Sequence, residues 1–136
     1  MFVPKNNNPK NKKTCDCVIR ALTEVTDKSI KEIITELTAI YLNKGWFMND
    51  PKCYDIWLKD NGYEKQNRPK FPDGKKYTGN EFCKYLNTLG ITDTILAHIG
   101  AHHITVFKHT EEGYVVQDAW NCSDYCVGNW WKPVVK

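Results

Sequence analysis

His103-Ile104-Thr105-Val106-Phe107 and Tyr114-Val115-Val116-Gln117-Asp118-Ala119-Trp120, joined through Glu111-Glu112-Gly113, decide the fold class. β-Branched and aromatic residues dominate both runs, and Glu-Glu-Gly reads as the turn of a hairpin. Residues 94–99 before them and 127–135 after them have the same character, the last edged by Pro133. Upstream the periodicity is helical. Val18, Ala21, Leu22 and Val25 predict a first helix from Cys15 to about residue 26. Ser29 and Glu32 form a capping box ahead of Ile30, Ile33, Ile34, Leu37, Ile40 and Tyr41, a helix ending near Gly45. Asp50-Pro51 caps a third helix through Tyr54, Ile56, Trp57 and Leu58, stopping at Asn61-Gly62. Residues 64–77 contain Arg68-Pro69, Phe71-Pro72 and Asp73-Gly74 and read as a loop. Thr78 and Glu81 start a short helix that stops at Gly90. Helices first and strands afterwards predict an α+β fold, N-terminal helices packed on a C-terminal antiparallel sheet.

The first 13 residues are rich in Lys and Asn, with two prolines and no acid, and read as a basic extended arm. Residues 14–136 read as one domain, large enough to bury a core. Apolar content of 41% and charged content of 26% are ordinary for a globular protein, and a net charge of +3 does not call for nucleic acid. The lysines of the arm read as a solvated face. No apolar run is long enough for a membrane span, and Met1-Phe2-Val3-Pro4-Lys5 lacks the apolar core of a signal peptide. A reducing, cytoplasmic setting is expected, with the six cysteines as thiols and no cofactor. Cys53 and Cys83 read as small buried hydrophobes. Cys15-x-Cys17 and Cys122-x-x-x-Cys126 do not have the spacing of a zinc knuckle, so no metal is expected.

Thr14-Cys15-Asp16-Cys17 opens the first helix. A thiol there gains from free backbone N–H groups and the helix dipole, both of which favour the thiolate. Cys17, deeper in the first turn than Cys15, is the candidate nucleophile, and its own N–H is a candidate oxyanion donor. The neighbouring Asp16 is expected to cap the helix and to repel a thiolate. A cysteine nucleophile takes its base and orienting group from distant segments. A hairpin register pairing Phe107 with Tyr114 and Thr105 with Val116 sets Asp118 opposite His103, within reach for the carboxylate to orient the imidazole. Strand alternation then turns His102 away from the thiol. His98 and His109 read as ordinary structural histidines.

These residues resemble papain-like cysteine peptidases, particularly the bacteriocin-processing type and small phage and bacterial proteins of that superfamily. Asn11-x-x-x-x-Asp16-Cys17 resembles the segment in which a Gln six residues before the nucleophile supplies an oxyanion donor, so Asn11 takes that role, one methylene shorter, with Asn8 nearby. His103 through Phe107 is similar to the apolar strand that begins with the catalytic His. Asp118-Ala119-Trp120 resembles Asn-Ser-Trp, which implies that Trp120 shields the His103–Asp118 bond. The resemblance spans roughly residues 11–131. The chain is shorter than most such enzymes, so specificity is expected from loops around 43–50, 64–77 and 121–126. Trp46 and Phe47 are the candidate substrate-binding aromatics. Of the adjacent Trp130 and Trp131, one is expected to be exposed or at an edge.

The expected activity is hydrolysis of an amide, isopeptide or thioester bond in a protein or peptide by Cys17, His103 and Asp118. A transglutaminase or acyltransferase would use the same triad. A non-catalytic binding protein, such as a phage-encoded inhibitor, would use the same fold.

Overall fold

The computed structural model describes residues 1–134. They form an α+β fold of four helices and a six-stranded mixed sheet. The helices are α1 (Cys17–Leu22), α2 (Ile30–Lys44), α3 (Pro51–Asp60) and α4 (Gly79–Thr88). The strands are β1 (Phe2–Pro4), β2 (Tyr63–Gln66), β3 (Ile95–Ile99), β4 (His103–Thr110), β5 (Gly113–Asp118) and β6 (Val127–Pro133), ordered β1-β5-β4-β3-β6-β2.

Local chemistry sets the helix ends. Ser29–Glu32 and Thr78–Glu81 each close a reciprocal capping box. Asp50 accepts the Lys52 N–H ahead of Pro51 in the first turn of α3, and Gly45 ends α2 at φ 82°. α1 is shorter than its apolar spacing suggests, stopping at Leu22. Thr23 Oγ1 donates to the Arg20 carbonyl at 2.6 Å, the local side-chain bond that competes with helix continuation. On α2 only Ile33 and Leu37 are fully buried, whereas Ile34 and Tyr41 remain exposed.

Two strands lie outside the expected set. The lead-in is not a free arm: Phe2–Pro4 pairs in parallel with β5, Phe2 against Val116, which makes the sheet mixed and not purely antiparallel. Tyr63–Gln66, expected to begin a loop, pairs antiparallel with β6. Both are short polar or proline-containing edge strands, which carry little alternation to read. The last strand ends at Pro133, and Val135 lies outside the described residues.

Alternate strand residues feed two cores. Leu96, Ile104, Val106 and Trp131 pack with residues of α1, α2 and α3. Ile95, Ala97, Phe107, Val116 and Trp130 pack with Phe82, Cys83 and Leu86 of α4. Because the sheet is covered on both faces, Trp130 and Trp131 point opposite ways and both are buried, contrary to expectation. Trp131 Nε1 donates to Asp55 Oδ1 at 2.7 Å.

The hairpin register also differs. Phe107 pairs with Val116 and His109 with Tyr114, two residues from the expected alignment. A shift of two preserves the face of every side chain. Asp118 therefore keeps the face of His103 and Thr105.

Candidate active site

Cys17 is the first residue of α1. Asp16, the residue before it, makes no side-chain cap. Its Oδ1 accepts from Arg20 Nε at 2.8 Å and its Oδ2 from Asn8 Nδ2 at 2.8 Å. This corrects the expected capping role and spends the carboxylate that would have opposed a thiolate. The first-turn N–H groups have no acceptor within a helix, and Asp16 takes none of them. Burial works to raise the Cys17 pKa. Hydrogen bonds from the His103 side chain and the Ile104 N–H outweigh it, with the charges of His103 and Arg20, and hold the thiol below its usual range.

His103 begins β4, and its Nε2 lies 2.6 Å from Asp118 Oδ2. With Nε2 on the carboxylate, Nδ1 is the ring nitrogen left for Cys17. Burial disfavours the imidazolium, but hydrogen bonds with Asp118, Cys122 and Cys17 and the Asp118 charge hold the His103 pKa well above the ordinary histidine range. A lowered thiol beside a raised imidazole is the signature of a thiolate–imidazolium pair.

Asp118 is 6% exposed and heavily coordinated. Oδ2 also accepts from Thr105 Oγ1 at 2.5 Å and from the Cys122 thiol at 3.7 Å. Oδ1 accepts from Arg20 Nη1 at 3.1 Å and the Ala119 N–H at 2.6 Å. Burial would raise its pKa, but the bonds from His103 and Thr105 lead the effects that keep it ionised. The Trp120 ring lies 4.8 Å from the His103 ring, tilted by 45°, and meets Tyr125 edge-on at 5.7 Å. Trp120 thus covers the imidazole next to the His103–Asp118 bond.

Two clefts flank the thiol. One, of about 410 Å³, is lined by Cys15, Cys17, Asn49, Asp50, Tyr54, His102 and Ile104 among others. The other, of about 420 Å³, is lined by Lys13, Thr14, Cys15, Cys17, Arg20, His102, His103 and Trp120 among others. His102 therefore borders both clefts instead of facing away. It sits in the turn before β4, where strand alternation does not apply.

Asn11 is not brought to the thiol. It is exposed at φ 52°, its N–H bonds the Asn8 carbonyl, and it lines neither cleft. The Asn8 side chain is held on Asp16. Trp46 and Phe47 are 38% and 53% exposed but also line neither cleft. Trp46 carries Lys52 over its ring at 4.1 Å, and Phe47 packs on Tyr41. From that loop, Asn49 and Asp50 reach the cleft.

Arg20, Thr105 and Cys122 complete the site and were not singled out from sequence. Arg20 carried a signal, the i,i+4 spacing from Asp16. Thr105 carried another, lying two residues along the strand from His103. Cys122 carried none. His98 has a structural place: its Nε2 hydrogen-bonds the Tyr54 hydroxyl, and its ring packs on Trp131. Burial and Lys65 hold its pKa down.

Ligand atoms of His103, Asp118 and Cys122 lie within 4.8 Å of one another. The 2.6 Å contact between Nε2 and Oδ2 is a hydrogen bond, too short for both atoms to ligate one cation at about 2 Å each in tetrahedral geometry. Cys15 and Cys126 are exposed, and Cys53 and Cys83 are buried as expected. No helix among the described residues is long and apolar enough to cross a membrane. In comparisons with known proteins, no family model, no curated protein and no solved structure matches the chain.

Proposed function

We propose that the protein is a papain-like thiol hydrolase that cleaves an amide, isopeptide or thioester bond in a protein or peptide. The observation that carries this reading is that Cys17 and His103 line one cleft, with Nε2 of the imidazole 2.6 Å from the Asp118 carboxylate under Trp120. The Cys17 thiolate attacks the substrate carbonyl carbon, and the tetrahedral oxyanion is received by the first-turn N–H groups of α1. The His103 imidazolium gives its proton to the leaving nitrogen or sulfur, and the intermediate collapses to a thioester on Cys17. Water then attacks that thioester carbonyl and loses a proton to His103. Expulsion of the thiolate releases the carboxylic acid and restores the ion pair. Asp118 stays ionised throughout, orienting the ring and stabilising its charged form.

The test is turnover of a panel of peptide-amide, isopeptide and thioester reporters. Replacing Cys17 or His103 with Ala is expected to remove nearly all hydrolysis. Asp118→Asn is expected to retain more, because an amide still orients the ring. Unchanged hydrolysis by Cys17→Ala would rule the reading out. Product partitioning towards an added primary amine would reassign the chemistry to acyl transfer on the same triad.

A further inference from the structure

Cys15 and Cys17 are separated by Asp16 alone, and both side chains line both clefts that flank the active thiol. The chain between them is not extended. The Asp16 N–H donates to the Thr14 carbonyl at 2.9 Å, a three-residue turn centred on Cys15. Asp16 itself has φ −114° and ψ 25°. Such compact torsions at the middle residue hold the flanking Cα atoms roughly 5.5–6 Å apart, where a fully extended chain would hold them near ~7 Å. The shorter separation is the one most often spanned by a disulfide. Cys15 is an exposed free thiol.

No other thiol is so placed. Cys53 and Cys83 are buried in α3 and α4. Cys122 is fully buried, its S–H directed at Thr105 and Asp118. Cys126 is exposed but lines neither cleft.

We propose that Cys15 is the resolving thiol of a reversible oxidation site, closing a disulfide with Cys17 after a peroxide has oxidised it. The proposal rests on the reading of Cys17 as a thiolate. Hydrogen peroxide transfers one oxygen to the Cys17 thiolate, giving the sulfenic acid and hydroxide. The Cys15 sulfur attacks the Cys17 sulfur, an S–S bond forms, the S–O bond breaks, and the proton from Cys15 leaves with that oxygen as water. Both sulfurs are oxidised by one electron each and the peroxide is reduced to water. While the bond is in place Cys17 is no longer a thiolate and cannot attack a carbonyl, so hydrolysis is off. A dithiol restores both thiols by exchange. Cys17 is also kept from the sulfinic acid, which ordinary thiols cannot reverse.

The test treats the full chain with graded hydrogen peroxide and maps every cysteine by peptide mass spectrometry, before and after dithiothreitol. In the parent protein, the peptide carrying both residues is expected to lose two hydrogens. Iodoacetamide reactivity of Cys17 should disappear with it and return nearly fully on reduction. In Cys15→Ser, scored against its own untreated sample, Cys17 is expected to accumulate sulfinic acid, and most reactivity should stay lost. Sulfinic acid at Cys17 to the same extent in both proteins would overturn the proposal and leave the thiolate reading standing. A disulfide from Cys17 to Cys122 would do the same. Peroxide oxidising Cys17 no faster than Cys126 would overturn both.

Discussion

Arg20 Nη1 lies 3.1 Å from Asp118 Oδ1, which ties the helix bearing the thiol to the carboxylate behind the imidazole. The same guanidinium holds Asp16 Oδ1 at 2.8 Å through Nε, and its side chain is only 11% exposed. α1 is six residues long and contributes Val18, Ala21 and Leu22 to the core, and this ion pair adds a polar connection from it to β5. It also places a positive charge close enough to Cys17 to favour the thiolate.

Arg20→Met should therefore act on reactivity and on stability together. Breaking a buried ion pair on one side leaves an uncompensated charge and costs about 3–5 kcal/mol. The Cys17 pKa should rise, since Asp16 and Asp118 would then oppose the thiolate without the Arg20 charge. Arg20→Lys keeps the charge without the fork and should fall between the two. Denaturant unfolding and the pH dependence of Cys17 alkylation measure the two effects; a stable variant with an unshifted profile would show that Arg20 does not position the site.

His102 and His103 should separate cleanly. His102 borders both clefts but has no bond to the triad, so His102→Ala is expected to raise KM with kcat within a few-fold of the parent. His103→Ala should lose kcat. Combining it with Cys17→Ala should cost little beyond either alone, because the two act as one unit. A dead His102→Ala beside an active His103→Ala would transfer the base to the turn residue.

Glu24 links acid stability to the lead-in. Burial opposes its ionisation, but hydrogen bonds from Lys5 and Asn7 and the charges of Lys5 and Lys108 hold its pKa at about 2, below the ordinary 4.5. Because the folded value is depressed, the stabilisation is present in full above about 4.5 and is lost as pH falls towards 2. Glu24→Gln should be less stable than the parent by about 1–3 kcal/mol at neutral pH. Unfolding curves at successive pH values should show the gap closing below 4.5. A gap independent of pH would mean that the ion pairs with Lys5 and Lys108 contribute nothing.

What the sequence made legible followed from local chemistry. Ser29, Glu32, Asp50, Pro51, Thr78, Glu81 and Gly45 each act within four residues, and their helices begin or end as expected. His103 and Asp118 meet although the register differs by two residues from the expected one, because a two-residue shift leaves face parity intact. Parity failed for His102, which is in a turn; it held for Trp130 and Trp131, but both are buried because a sheet covered on both faces has no solvent side. Asn11 was assigned by resemblance alone, and the Asn8–Asn11 turn carries it to solvent. Cys122 reaches Asp118 only because the loop after β5 folds back, which no local signal announces.

The central claim, a thiolate at Cys17 maintained by His103, is tested most directly by the pH–rate profile of iodoacetamide alkylation at each cysteine, resolved by peptide mass spectrometry. With the thiol pKa lowered and the imidazole pKa raised, the ion pair occupies the interval between them. Cys17 should then be labelled faster at pH 6 than the exposed Cys15 and Cys126, and His103→Ala should move its profile up towards the ordinary thiol value of 9.0. Equal rates at Cys17, Cys15 and Cys126, with a Cys17 profile untouched by His103→Ala, would contradict it.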